Sequence, residues 1–177
     1  MAARTDTAGD PILLLDQDRS VWDRLQIRRG LQALDKAYEL GGGGRFYTLQ
    51  ATIIACHARA ETAAETDWSR IAAVYLDLAT LVPSPVIELN RAVAVGMAEG
   101  PEAALAIVDR LAGDPALKTY HLLPSVRGDL LDKLGRYDEA HTEFEAAAAL
   151  AGNTREQLLL KRRAARGAAA AGSSIAF

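Results

Sequence analysis

A single cysteine, Cys56, is all the thiol this 177-residue chain carries. That excludes an internal disulfide and any zinc site built from several cysteines, and it agrees with a reducing, cytoplasmic setting. Aromatic residues make up only 6% of the sequence and β-branched residues are also sparse, so there is little to build strands from, while abundant alanine favours helix. No apolar run approaches the roughly 20 residues needed to span a bilayer. The stretch from Met1 to Asp10 is small and polar, without the apolar core of a signal peptide. Basic residues number 20 against 23 acidic ones, a net charge of −3, which speaks against a nucleic-acid-binding domain.

What the chain has is a globular composition, 50% hydrophobic and 24% charged, in a length that fits one domain able to bury a core. The expected layout is a linker over residues 1–11, a single helical domain over 12–166 and a frayed tail over 167–177. Period-3.6 patterning recurs from Ser20 nearly to the end. A first helix is predicted over Ser20–Leu40, capped by Asp18 or Ser20, with Ile27, Leu31, Leu34 and Tyr38 on one face and Gly41–Gly44 as its stop. Further helices are expected over Phe46–Ala60 (Phe46, Leu49 and Ile53 inward) and over Trp68–Leu81 (Ile71, Tyr75 and Leu78 inward), the latter capped by Asp67. Pro83-Ser84-Pro85 then breaks and restarts the chain, with Ser84 as cap and Pro85 in the first turn.

The fourth helix presents Val86, Leu89 and Val93. Gly100-Pro101 opens a fifth, carrying Ala104, Val108 and Leu111, and Gly113-Asp114-Pro115 closes it. A sixth near Leu122–Leu134 accommodates Pro124 only in its first turn. A seventh covers Tyr137–Leu150, and Asn153 with Glu156 forms a capping box for a last helix ending near Arg166. Ile12–Leu15 reads as an extended lead-in.

Many short helices with tight turns raise the question of a repeat. Gly128, Gly135, Tyr137, Ala140, Phe144 and Ala147 fall at the small and aromatic positions of a tetratricopeptide unit. Small residues let two helices approach, and aromatics fill the space between repeats. Stepping back 36 residues puts Ala92, Ala104, Val108 and Leu111 in the same places, close to the nominal period of about 34. A more degenerate copy pairs the helix at Phe46 with that at Trp68. The fold class expected is all-α, a tetratricopeptide-like array of seven to eight helices with an N-terminal packing helix.

Candidates for chemistry are few. His57, His121 and His141 lie far apart, without the spacing of a helical metal motif. His57, beside Cys56 on an apolar helix, reads as a hydrogen-bonded structural histidine, and His141 as solvated. Gly41–Gly44 is a loop rather than a phosphate cradle, since no strand precedes it. Lys161, Arg162, Arg163 and Arg166 suit the C-terminal end of a helix and the polar outer face of a terminal one. No catalytic residue, cofactor or metal is expected. Asn90 and Arg91 interrupt an apolar helix on the side that lines the concave surface of such arrays, and Asp129 and Lys133 hold the comparable face of the last repeat. Either these four bind a partner segment or they form a local polar network that fixes helix register.

Several strings taken in order look like one family. They are Asp16-Gln17-Asp18-Arg19-Ser20-Val21-Trp22-Asp23, Tyr47-Thr48-Leu49-Gln50-Ala51, Ala55-Cys56-His57-Ala58, Thr66-Asp67-Trp68, the segment from Pro83 to Ala94, Tyr120-His121-Leu122-Leu123 and Gly135-Arg136. Together they resemble the C-terminal tetratricopeptide-like extension of extracytoplasmic-function RNA polymerase sigma factors, over about Ile12 to Arg166. The resemblance implies a regulatory, non-enzymatic domain that contacts the sigma regions or core RNA polymerase and takes the place of a separate anti-sigma protein. Neither sigma region lies within these 177 residues, so promoter recognition is not expected of this chain. The implied contact residues are Asp16, Asp18, Arg19 and Trp22 at the junction, with Asn90, Arg91, Asp129 and Lys133 along the groove. The other reading is a free-standing scaffold holding a peptide in its concave groove, with neither nucleic acid nor membrane as partner.

Overall fold

The computed structural model describes Ile12 and residues 14–174, with side chains up to residue 165. The described residues are all-helical. They form eight α-helices: α1 Arg24–Glu39, α2 Phe46–Arg59, α3 Trp68–Leu81, α4 Pro85–Ala98, α5 Pro101–Leu111, α6 Leu122–Lys133, α7 Tyr137–Leu150 and α8 Thr154–Ser174, with short 3-10 turns at Arg19–Val21 and Pro115–Leu117. The chain divides into two compact units, the first ending at Leu81 and the second starting at Val82. The linker expected over 1–11 lies outside the described residues, and the extended lead-in expected over Ile12–Leu15 is corrected at Leu14 and Leu15, which stand exposed in a turn.

In the first unit, α2 packs between α1 and α3. The long first helix expected from Ser20 is split. Asp18 caps the 3-10 turn by accepting from the Ser20 amide at 2.8 Å, the chain extends at Trp22 and Asp23, and Asp23 caps α1 through the Gln26 amide at 2.9 Å. Two cap-competent aspartates five residues apart give the backbone two starts, and the second carries the helix. α1 buries only Leu34 fully. Ile27 and Leu31 are half-buried, and Tyr38 is exposed along its ring while its hydroxyl meets Thr52 Oγ1 at 2.7 Å. Gly41, at φ +75°, ends the helix in the left-handed conformation that L side chains avoid.

α2 and α3 bury Leu49, Ile53, Ile71 and Leu78 as the apolar periodicity predicts, with Phe46 and Tyr75 half-buried. Asp67 accepts from the Arg70 amide at 2.8 Å as the expected cap.

The second unit is a run of antiparallel neighbours, α4 on α5, α5 on α6, α6 on α7 and α7 on α8. Proline opens both α4 and α5, where its missing N–H has no intrahelical partner to lose. Ser84 occupies the cap position of α4, but its side chain makes no capping bond. α4 turns Leu89, Ala92, Ala94 and Val95 inward and leaves Val86 and Val93 exposed, which corrects the inward face expected for it. The alanines settle the orientation, because Ala92 and Ala104 are both fully buried where α4 meets α5 and bulkier valines would hold the helices apart. Pro124 sits in the first turn of α6, as its chemistry requires.

At the predicted repeat register the fit is close. Ala140, Phe144 and Ala147 are at most 1% exposed, as are Ala92, Ala104 and Val108 one step earlier. Gly128 is the point of closest approach, since a Cβ there would meet the Phe144 ring at 2.9–3.2 Å. The α6–α7 turn closes through Gly135 at φ +74°, with the Arg136 amide donating to the Leu131 carbonyl at 2.9 Å. Asn153 caps α8 as predicted, accepting from the Glu156 amide at 2.8 Å, while the Glu156 carboxylate accepts from the Asn153 side-chain amide at 3.1 Å. That helix continues to Ser174 rather than ending near Arg166. Alanine at 164, 165 and 168–171 carries it against the glycines at 167 and 172, each of which costs about 1 kcal/mol.

Candidate functional site

Of the junction residues, Arg19 and Trp22 meet, and the burial of Arg19 corrects its expected role as an exposed contact. The 3-10 turn drives its side chain inward until only 3% of the residue is exposed. Nη1 donates to the carbonyls of His57 at 2.9 Å and Ala60 at 3.2 Å, and Nη2 donates to Thr66 Oγ1 at 3.1 Å. Those carbonyls belong to the last turn and cap of α2, where intrahelical donors run out and a cation is favoured. The guanidinium therefore pins the segment before α1 to the end of α2 and to the loop entering α3. The Trp22 ring lies 5.2 Å from Arg19 Cζ, a cation–π contact on the open side of the same group. Asp18 and Asp16 stay exposed. Ser20 hydrogen bonds hold the Asp18 carboxyl below the usual carboxylate range.

His57 lies against this latch. Its ring meets Trp68 edge-on at 5.2 Å between centroids. Burial lowers its pKa, and the nearby Arg19 charge lowers it further. Nδ1 is buried without a hydrogen-bond partner, so packing rather than the expected hydrogen bond holds the ring. Burial pushes the neighbouring Cys56 thiol up, which is the opposite of what a reactive thiolate needs. A cleft of about 520 Å³ opens beside Cys56, walled by Leu34, Tyr38, Thr52, Arg59 and Arg70. Several groups on its rim are already engaged: Arg59 reaches Asp35 at 3.4 Å, and Glu65 accepts from the Thr62 amide at 3.0 Å.

The four groove candidates separate. Asn90 is exposed on α4, while Arg91 folds back on Glu88 of the same helix at 2.9–3.2 Å. Asp129 of α6 pairs with Lys133 at 2.9 Å and with Arg163 of α8. Burial alone would raise the Asp129 pKa, but the hydrogen bonds and charges of Lys133 and Arg163 outweigh it and hold the carboxyl low. No hydrogen bond or ion pair among the described residues joins the Asn90 pair to the Asp129 pair. The Arg91–Glu88 and Asp129–Lys133 pairs lie within single helices, and Asp129–Arg163 is the bond that joins two. Among the described residues Asn90 makes no side-chain hydrogen bond.

Sequence reasoning missed what holds α8. Arg163 was grouped with the solvated basic cluster, yet its guanidinium also sits 4.6 Å from the Phe144 ring centroid. His141 is half-buried rather than solvated, with Nδ1 3.1 Å from the Ala164 carbonyl oxygen. His121 Nε2 lies 2.8 Å from Glu156 Oε1. Arg127, also overlooked, bridges Asp109 of α5 at 2.8 Å and Glu143 of α7. The one advance signal was spacing: Asp129 and Arg163 stand 34 residues apart, about one repeat, which brings equivalent faces of neighbouring units together. Among the described residues no group of three His, Cys, Asp or Glu side chains is placed to hold a metal, and no helix is long and apolar enough to cross a membrane.

Comparison with known proteins finds a family of unknown function (DUF6596) over residues 1–38. It also finds "Uncharacterized protein R00370" of Rhizobium meliloti (strain 1021), 49% identical over 154 residues. That match covers 87% of this chain but 36% of the relative, so the chain spans about a third of the length of the curated relative it matches. No solved structure matches.

Proposed function

We propose that this chain is the regulatory, protein-binding part of a sigma factor of the extracytoplasmic-function type, contacting its sigma regions or RNA polymerase to control transcription initiation in the cytoplasm. The observation that carries the reading is the Gly128–Phe144 approach, which sits at the tetratricopeptide register within the same stretch as the ordered family strings. Arrays of this kind bind partners through surfaces rather than through a converged acid–base centre. Most of the Rhizobium meliloti relative lies outside the match, which leaves length for attached regions of the kind the proposal requires.

The Arg19 latch gives the proposal a physical route. Whatever moves residues 16–22 must work against three hydrogen bonds into α2 and the following loop. An attached region at this end would therefore be held in a defined relation to the first unit. The deciding experiment is a pull-down of the full chain against separately purified sigma regions and against core polymerase, paired with promoter-dependent transcription by the sigma protein with and without this chain. Retention of one of those partners, with transcription altered on deletion, is the expected result. If no partner were retained and transcription stayed intact after deletion, a free-standing scaffold for a peptide ligand would take its place.

A further inference from the structure

α1 has a face that the rest of the described residues leave exposed. Its inward side is Ile27, Leu31 and Leu34. At about 100° per residue, Leu25, Arg28, Arg29 and Gln32 fall in one arc outside that side, with Arg24 at its edge next to Leu31, and all five are exposed. Arg91, Arg127, Arg136 and Arg163 each reach a carboxylate. Arg24, Arg28 and Arg29 reach none among the described residues. Asp23, the acid next to Arg24 along the chain, is spent on the Gln26 amide.

Helix stability does not account for this placement. Arg24 stands in the first turn of α1, which holds no acidic residue, and the positive end of the helix dipole disfavours a cation there. Arg24 and Arg28 are also four residues apart, the spacing at which like charges on a helix repel. In a chain of net charge −3, three uncompensated guanidiniums on one helix face form a local field of the opposite sign. Two aliphatic side chains accompany them: Leu25 is 54% exposed and Val21, just ahead of the helix, is 53% exposed. Arginine beside exposed apolar surface is the mixture that protein interfaces favour. Nucleic acid, met mostly through its phosphates, has little use for the leucine.

The geometry points to the outer face of α1, with Arg24, Leu25, Arg28 and Arg29, as a docking surface for an acidic amphipathic protein segment. Such a segment sets carboxylates against the three guanidiniums and an apolar side chain against Leu25. Bidentate arginine–carboxylate pairs supply orientation as well as attraction, and the complementary charge steers the encounter. The surface does not depend on the regulatory reading above, because it follows from the charge and exposure of α1 alone.

The test uses the full chain and a labelled synthetic helical peptide of glutamate and leucine, followed by fluorescence anisotropy at low and at physiological salt. Saturable binding that weakens with salt is expected. The charge reversal R24E/R28E/R29E and the neutral R24Q/R28Q/R29Q should each weaken it by about tenfold or more, and Leu25→Ala severalfold, with melting curves close to that of the parent. Reversal of another exposed basic pair, K161E/R162E, should change the affinity by less than about twofold. Four results would overturn the proposal: no saturable binding, equal loss in K161E/R162E, equal binding of a lysine–leucine peptide, or tighter binding of duplex DNA through the same three arginines.

Discussion

The Cβ that Gly128 lacks would lie 2.9 Å from Cε1 of Phe144, closer than real Cβ contacts come. The ring is 1% exposed, and the Arg163 guanidinium lies over it, so it has nowhere to swing. α6 and α7 are therefore spaced by a missing methyl group. Gly128→Ala should destabilise the protein by about 1–2 kcal/mol, an overpacking cost that exceeds the helix propensity gained. Phe144→Ala should cost about 3–5 kcal/mol through the cavity it leaves. Urea denaturation of the two single variants and of Gly128→Ala/Phe144→Leu reads both numbers, and the double variant should recover part of the Gly128→Ala loss.

Gly30 makes the opposite case. It lies inside α1, and beyond the helix's own nearby backbone and its two chain neighbours nothing stands within 4 Å of where its Cβ would be. Gly30→Ala should stabilise the protein by about 0.5–1 kcal/mol, because it removes unfolded-state freedom and meets nothing. A melting temperature that rises with Gly30→Ala and falls with Gly128→Ala would confirm that packing rather than propensity governs the second site.

Arg19→Ala should cost about 1.5–3 kcal/mol, since it strips charged hydrogen bonds from two carbonyls and a hydroxyl that stay buried. Arg19→Lys should recover little of this. A single ammonium cannot span acceptors that the planar fork reaches from two nitrogens. Equal urea midpoints for the lysine variant and the parent would show that charge alone suffices.

Burial and Arg19 keep the His57 imidazole neutral below its ordinary value of 6.5. Because the unfolded chain binds that proton more readily, stability is complete above the ordinary value and is lost as pH falls from there toward the depressed folded one. Thermal melts between about pH 7.5 and 5 should show a decline that His57→Gln reduces. Carboxylates such as Asp129, whose pKa is also held low, lose their contribution only in more acidic solution.

How legible was this molecule in its sequence? Caps and breakers spoke clearly, because each acts on residues two to four positions away. Asp67, Pro85, Pro101 and the Asn153–Glu156 pair all sit where their chemistry put them. The Gly128–Phe144 register was readable because small and aromatic residues recurred at one spacing. What was not readable is contact between distant residues. Arg19 finds its acceptors 38 to 47 residues on, and a run of charged residues before a helix gives no sign of which one turns inward. Val86 and Val93 misled for a related reason: hydrophobic period alone cannot rank valine against alanine when the neighbouring helix demands small residues.

Arg163 touches three things at once: its own helix α8, Asp129 on α6 and the Phe144 ring on α7. That makes the last three helices a single cooperative exchange unit rather than an array with a loose end. Backbone amides from 157 to 165 should then share one opening free energy with the core amides of α6 and α7. Their protection should fall together when Phe144 is truncated, although no residue of α8 has been changed. The last helix would thus report on the integrity of the repeat that precedes it.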